Sequence, residues 1–459
     1  MKIKLSIIIT IIIIILFILS CTNTKDTDSF SQIYESTDTL ILYGYPYGDH
    51  LYSSAINIFK QKFPDVEIIY TQYDNSQQYN QIIQTEIPAG KGPDLLVFSS
   101  FDFPDIYKVM NTGVFCNLEN FINNDSEFDM TLYNETVINS GIYNNTQYIM
   151  PLCYNINLLL TTQEALHDAG IDSTKINTFN GFTKEIQKYY AGGGRTNLLY
   201  DTLDGYGDTL TFFPWCGVEV IDYENKTINI DNDAFKLIMD TYKAIYQNDK
   251  TNSTRPPKNY VYTSGLQERA VLNRQILFSM DSSNYFSSLL VGYGGLLYAE
   301  TPILLPYPNI SNKTTASVQL MASILSTAKN KKNAFEFLKI LLSDDIQSKV
   351  DTFTIQGIPV LMNAIDERLT KTINNTGYGI VTAPVTLYDG NSWMISAIPE
   401  QTLEDMKNKL ISVDNCQLCV YGLFYNFVTP LMTPYFDGVD SYENCLKKLR
   451  NDLELYLAE

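Results

Sequence analysis

The chain has 459 residues, 45% of them hydrophobic and 18% charged, long enough for two or three domains with a sizeable core. Its net charge of −19 argues against a nucleic-acid backbone as ligand, which needs clustered Lys and Arg. With two histidines, His50 and His167, His-based catalysis or metal ligation has little to work with.

Lys2 and Lys4 precede an almost unbroken apolar run from Leu5 to Leu19 that ends at Ser20-Cys21. The run is short for a membrane span and has the charged start and apolar middle of a secretory signal over residues 1–20. Residues 22–37 are polar and read as a flexible tether. Six further cysteines follow: Cys116, Cys153, Cys216, Cys416, Cys419 and Cys445. Export permits disulfides, but spacing leaves 15 pairings open. Cys416-Gln-Leu-Cys419 has no second pair and no nearby His, so a local disulfide or two buried thiols outweighs a metal site.

Thr39 to Tyr43 is strand-like, and Tyr43-Gly-Tyr-Pro-Tyr-Gly-Asp-His50 is a Gly-broken aromatic loop. Tyr52, Ala55, Ile56, Phe59 and Phe63 then fall at the spacing of an amphipathic helix, stopped by Pro64. Val66 to Thr71 is a second strand. A helix at Tyr79 to Ile87 leads through Gly90-Lys-Gly-Pro-Asp94 into Leu95 to Phe98, an apolar run sized for a strand buried on both faces. Strand, helix, strand, helix, strand predicts βαβ units and a mainly parallel sheet. Ligands of open α/β sheets gather beyond the carboxyl ends of strands, so the Phe98–Asp102 exit is the first candidate edge.

Ile106 to Ile122 reads as helix broken at Gly113. Gln147–Pro151 and Asn155–Leu160 read as two extended runs, and Thr161-Thr-Gln-Glu164 as a capping box. Helices are expected at Thr183–Tyr190, Ala234–Tyr246, Ala334–Leu342 and Ser441–Leu457, and strands at Ile276–Met280 and Val318–Leu325. No P-loop, Gly-x-Ser-x-Gly, His-Glu-x-x-His or post-strand GxGxxG is present. No catalytic residue, metal or cofactor is assigned. Paired carboxylates of a glycosidase depend on three-dimensional separation and stay open at this point.

The segments, taken in order, resemble the family 1 extracellular solute-binding lipoproteins of ABC importers, the sugar-binding class. Leu19-Ser20-Cys21 resembles a lipobox, whose Cys is lipidated. Ala55 to Val66, Ala89 to Asp94, Gly113 to Leu118 and Tyr148 to Asn155 are similar to successive family segments, as are Lys331 to Leu338, Gly357 to Val360 and Phe436 to Ser441. The resemblance implies an α/β, two-lobe periplasmic-binding-protein-like fold with hinge crossings and a central cleft. It implies lobe 1 at 38–152 plus 312–355 and lobe 2 at 153–311 plus 356–459, the last crossing lying at Gly357–Val360. It implies a non-enzymatic protein, held to the cell membrane through lipidated Cys21, that passes a solute, an oligosaccharide, to ABC permease subunits. The alternatives are a lipid-anchored glycosidase and a same-fold receptor for a membrane sensor. Carried onto the post-strand loops, the family pattern gives Tyr45, Tyr47 and Asp49, then Phe98, Ser99, Ser100 and Asp102, with Tyr154 and Asn155 at the crossing. In lobe 2 it gives Phe213, Trp215, Asp281, Ser282, Asn284, Tyr285 and Trp393. A sugar asks for aromatic faces and planar polar groups, which this set supplies.

Overall fold

The computed structural model describes residues 38–46, 49–99, 102–103, 106–199, 216–251, 265–282, 286–349, 357–387, 389–418 and 421–458, with backbone only at 49, 249–251, 281–282 and 421. The expected signal, Cys21 and the tether lie outside them.

The strands are β1 (Thr39–Gly44), β2 (Glu67–Gln72), β3 (Leu95–Ser99), β4 (Ile142–Tyr143), β5 (Thr146–Gln147), β6 (Met150–Thr162), β7 (Ile221–Asp222) and β8 (Thr227–Ile228). They continue with β9 (Ser279–Ser282), β10 (Pro302–Pro306), β11 (Thr315–Ile324), β12 (Ile358–Pro359), β13 (Ala383–Thr386), β14 (Ser392–Ile395) and β15 (Asn415–Gln417). The main sheet runs β10-β6-β11-β3-β1-β2, with β9 and β12 also on β6 and β15 on β11.

The first βαβ unit forms as its sequence predicts. β1 pairs in parallel with β2 from Thr39↔Glu67 to Gly44↔Gln72, and with β3 at Leu42↔Leu95. The helix Asp49–Lys62 buries Leu51, Tyr52, Ala55 and Phe59 on one face. Every residue of β3 is buried, as expected of a strand covered on both faces. The turn before it takes positive φ at Gly90 (69°) and Gly92 (127°), a conformation that favours glycine.

Asp94 closes this turn and is only 3% exposed. Its Oδ2 accepts from Ile41 N at 2.8 Å, and its Oδ1 accepts from Lys329 N at 2.8 Å and Asn330 N at 3.1 Å. One carboxylate thereby ties β1, the entry of β3 and the start of the helix Lys331–Leu342. Asn330 completes the junction: its Nδ2 donates to Thr39 O, and its Oδ1 caps that helix through Asn333 N.

The segment expected as two extended runs is one strand. β6 stays unbroken because each half finds partners: Met150–Ile156 pairs with β11, with β12 at Cys153 and Tyr154, and Asn157–Thr162 pairs with β9 and β10. The cap that follows is shifted by one residue. Thr162 Oγ1 accepts from Ala165 N, while Thr161 points inward and donates to Leu277 O, and Glu164 accepts from Thr301 instead of closing a box.

Two large cores result. The first gathers the β1–β3 unit, β11 and the helix Lys331–Leu342; the second gathers the helices Phe179–Ala191, Asp233–Thr251 and Tyr442–Ala458. Ala364, Ile365, Met406, Leu410 and Leu418 still bury in the first core, and Phe424 and Val428 in the second. The step between cores near the C-terminus therefore comes between Leu418 and Phe424. Ile358–Pro359, where the last crossing was expected, pairs inside the sheet on β6. Cysteines 116, 153, 216, 416 and 445 form no disulfide with one another; Cys419 lies outside the described residues.

Asp94→Ala leaves three backbone donors without their acceptor and is expected to cost about 3–5 kcal/mol, read as a lower midpoint in urea unfolding, with Asp94→Asn between it and the parent. Burial pushes the thiols of Cys153 and Cys416 up to about 12. Cys153, fully buried, is expected to react with Ellman's reagent at pH 8 only once the protein is unfolded.

Candidate functional site

The pairing lines up the exits of β1 and β3 with interior stretches of β11 and β6. β11 runs antiparallel to β3 with Leu320 opposite Ser99, and β6 runs antiparallel to β11 with Asn155 opposite Ser317. Tyr45, Ser99, Asn155 and the Ser317–Gln319 stretch thus share the carboxyl edge of the first core's sheet. On the other half of β6, Asn157 stands opposite Ser282, the last residue of β9. The middle of β6 is therefore flanked by strand exits from both cores, the place where open α/β sheets collect ligands.

The chemistry at this edge is aromatic and polar. Tyr45 is half-buried and meets Tyr79 edge-on at 5.8 Å. Tyr73 backs it, 5.5 Å from Tyr79 and 5.4 Å from Tyr43. The cluster is held by phenol hydrogen bonds: Tyr79 donates to Val97 O at 2.6 Å and Tyr52 to Tyr43 O at 2.7 Å. Burial and the Glu86 carboxylate raise the Tyr43 phenol above its usual value.

Asp102 is turned inward. Its Oδ2 accepts from Ser99 N at 2.6 Å and Ser99 Oγ at 2.8 Å, and it is 1% exposed. Burial raises its carboxyl pKa, against the lowering effect of Ser99's donors. It closes the loop after β3 and orients Ser99.

Asn155 is 4% exposed and its Oδ1 accepts from Gln319 Nε2 at 2.8 Å. The β6–β11 register shifts around Val318 and Leu320, which takes Gln319 out of the ladder and leaves its amide free to reach Asn155. Gln319 was not foreseen; its one sequence signal is a Gln inside the apolar run Val318–Leu325.

Two expected ligand contacts, Phe98 and Tyr154, are corrected. Phe98 is fully buried, stacked on Phe115 at 5.7 Å and edge-on to Phe103 at 5.1 Å, because both faces of β3 are covered. Tyr154 is also fully buried, and its hydroxyl donates to Leu410 O at 3.1 Å. Trp393 is half-buried and packs against a small cluster of Leu266, Val291, Val385, Leu387 and Ile395. Its ring lies over Gly295, where an added Cβ would come 2.0 Å from it. Tyr47, Ser100, Phe213, Trp215, Asn284 and Tyr285, and the side chains of Asp49, Asp281 and Ser282, lie outside the described residues.

A cleft of about 570 Å³ opens elsewhere, between Tyr107 and Tyr143 on one side and Tyr223 and Phe424 on the other. None of the site residues expected from the sequence lines it. Among the described residues no group of His, Cys, Asp and Glu is placed to hold a metal ion.

Residues 54–377 match the model of a family described as bacterial extracellular solute-binding protein. The chain belongs to this family. Comparison with curated proteins gives no match. Among solved structures, the sugar-binding protein MalE from Xanthomonas citri aligns with TM-score 0.63 at 13% identity, over 92% of this chain and 97% of that one. A cyclic alpha-maltosyl-1,6-maltose binding protein from Arthrobacter globiformis aligns with TM-score 0.58 at 13% identity, over 91% and 98%. An ABC substrate-binding protein from Listeria monocytogenes in complex with cycloalternan aligns with TM-score 0.55 at 14% identity, over 92% and 99%. At these identities the likeness speaks for the fold, α/β and two-lobed. No described helix of the solute-binding protein is long and apolar enough to cross a membrane.

The raised carboxyl of Asp102 gives a signed pH effect. A carboxyl whose folded pKa lies above 3.8 contributes stability below that value and loses it as pH climbs through the raised one. Asp102→Asn is expected to flatten the fall in stability as pH rises above 3.8, as measured by urea unfolding at a series of pH values. Gly295→Ala forces the Trp393 ring aside and is expected to cost about 1–3 kcal/mol, seen as a lower thermal midpoint with a red-shifted Trp emission.

Proposed function

We propose that the protein captures a sugar, an oligosaccharide, between its lobes and hands it unchanged to an ABC permease. The observation that carries this is the junction on β6: its partners change from β11 and β12 to β9 and β10 around Asn155–Asn157, and Asn155 pairs there with the Gln319 amide. The solved neighbours named as binding a sugar, a cyclic maltosyl-maltose and cycloalternan support the sugar class.

In this reading lobe 1 is built on 38–152 with 312–355, and lobe 2 on 153–311 with the C-terminal helices. The burial of Ala364, Met406 and Leu410 in the first core supports a lobe 2 share that starts after Leu418, later than 356. Tyr45 offers a ring face, Ser99 and Asn155 offer hydrogen bonds, and Asp102 and Gln319 orient them. Tyr47, Asp49, Ser100, Phe213, Trp215, Asp281, Ser282, Asn284 and Tyr285 complete the set from the surrounding exits. Cys21 carries the lipid that holds the protein at the outer face of the cell membrane.

The test is thermal unfolding of the purified protein against oligosaccharides, monosaccharides, peptides and polyamines. A solute at a hundredfold over its Kd adds about 2.7 kcal/mol of stability, and one glycan recovered intact is the expected result. Product formation would instead point to a lipid-anchored glycosidase. No shift with any sugar would remove the carbohydrate assignment. With the positive glycan, Tyr45→Ala is expected to raise Kd about two- to tenfold, the contribution of one aromatic face.

A further inference from the structure

The two cores also touch away from the β6 junction. Tyr107, on the helix Ile106–Asn111, stacks on Tyr223 with ring centroids 5.0 Å apart and planes 21° from parallel. Tyr143 Oη donates to Tyr223 O at 3.4 Å, and Asn144 N donates to Glu224 Oε1 at 3.2 Å. Asn144 and Asn145 form the β4–β5 turn at φ of 48° and 58°, which aims the Asn144 amide at this partner. Lys108 Nζ lies 3.7 Å from the ring centroid of Tyr456 and donates to Tyr456 O. The hydroxyls of Tyr223 and Tyr456 are 3.3 Å apart, so both halves of the contact are joined.

Tyr223 packs against both cores. It belongs to the short β7–β8 hairpin, and Tyr456 to the last helix, so neither is part of a segment that crosses between lobes. The cleft of about 570 Å³ beside them shows that the facing surfaces are not flush. The lobes meet here through a few side chains with room around them. Such a contact is discrete: a small rotation about the crossings would break the stack and the cation–ring contact together. It also uses groups that exchange stacking and hydrogen bonding for water at modest cost, as a reversible contact requires.

We propose that Tyr107, Lys108 and Tyr143 on one lobe and Tyr223, Glu224 and Tyr456 on the other form a latch that fixes the interlobe angle and thereby tunes solute affinity without touching solute. This rests on the two-lobe reading above. A latch that favours one lobe angle changes the population of the other and shifts apparent affinity by the same factor. For one aromatic pair that factor is about two- to tenfold.

The experiment is small-angle X-ray scattering on the purified protein with no solute added, beside thermal unfolding. Tyr107→Ala and Tyr223→Ala are each expected to change the radius of gyration and the pair-distance distribution in the same sense. The double variant is expected to go no further than either single one, since both remove one contact. Tyr107→Phe keeps the ring and is expected to scatter like the parent. Lys108→Ala, which leaves the stack intact, reports independently if either alanine variant fails to fold. Variants that melt cooperatively and give scattering curves superimposable on the parent's would overturn the latch. So would a lowered thermal midpoint with unchanged scattering, which marks a contact that only stabilises. No solute enters this readout, so its outcome and that of the sugar assignment are separable.

Discussion

A single buried carboxylate holds the first lobe together. Asp94 accepts hydrogen bonds from three backbone N–H groups belonging to β1 and to the segment that opens the helix Lys331–Leu342. These groups are distant in sequence, and no ladder serves all three. A charge taken out of water is tolerable only when donors surround it, and here the backbone supplies them. The preceding Gly90 and Gly92 deliver the chain to this point in a conformation that a side chain would resist. The Gly-Pro-Asp turn, the most recognisable stretch in the sequence, is thus an anchor of the scaffold, and the edge beyond β1 and β3 depends on it at one remove: the two strands must be in register for their exits to align.

β6 is the second constraint. A strand buried along all its 13 residues is expected to be apolar throughout. This one carries Asn155 and Asn157 in the middle, where its partners change from β11 and β12 to β9 and β10. Buried amides are costly unless paired, and the Gln319 displaced from the β11 ladder pairs with Asn155. The polar break is where β6 exchanges one set of partner strands for the other. It is therefore also the place where hydrogen-bonding groups are gathered.

The abundance of tyrosine has more than one outlet. Some rings build the cluster behind Tyr45, with hydroxyls satisfied by backbone carbonyls. Tyr154 is committed to the core. Tyr107, Tyr223 and Tyr456 join the two cores. A phenol can bury its ring and still satisfy its hydroxyl, so composition alone does not say which task each one has.

Local chemistry was readable in the order of residues. The spacing of Tyr52, Ala55 and Phe59, the apolar run of Leu95–Phe98 and the glycines before it determined a βαβ start, and the succession of segments determined the family. These signals are short-range: periodicity reports which face of an element is apolar, and glycine reports where φ turns positive. What covers each face was decided only by tertiary structure. Phe98 and Trp393 looked like exposed aromatics at irregular exits, but Phe115 and Gly295 lie against them. Thr162 rather than Thr161 became the helix cap because Leu277 offered Thr161 a buried carbonyl. Gln319 reached Asn155 through a register shift that no residue type announces. Each of these depends on a partner beyond the span of one element or on pairing geometry, and such contacts leave no periodic trace in a single sequence.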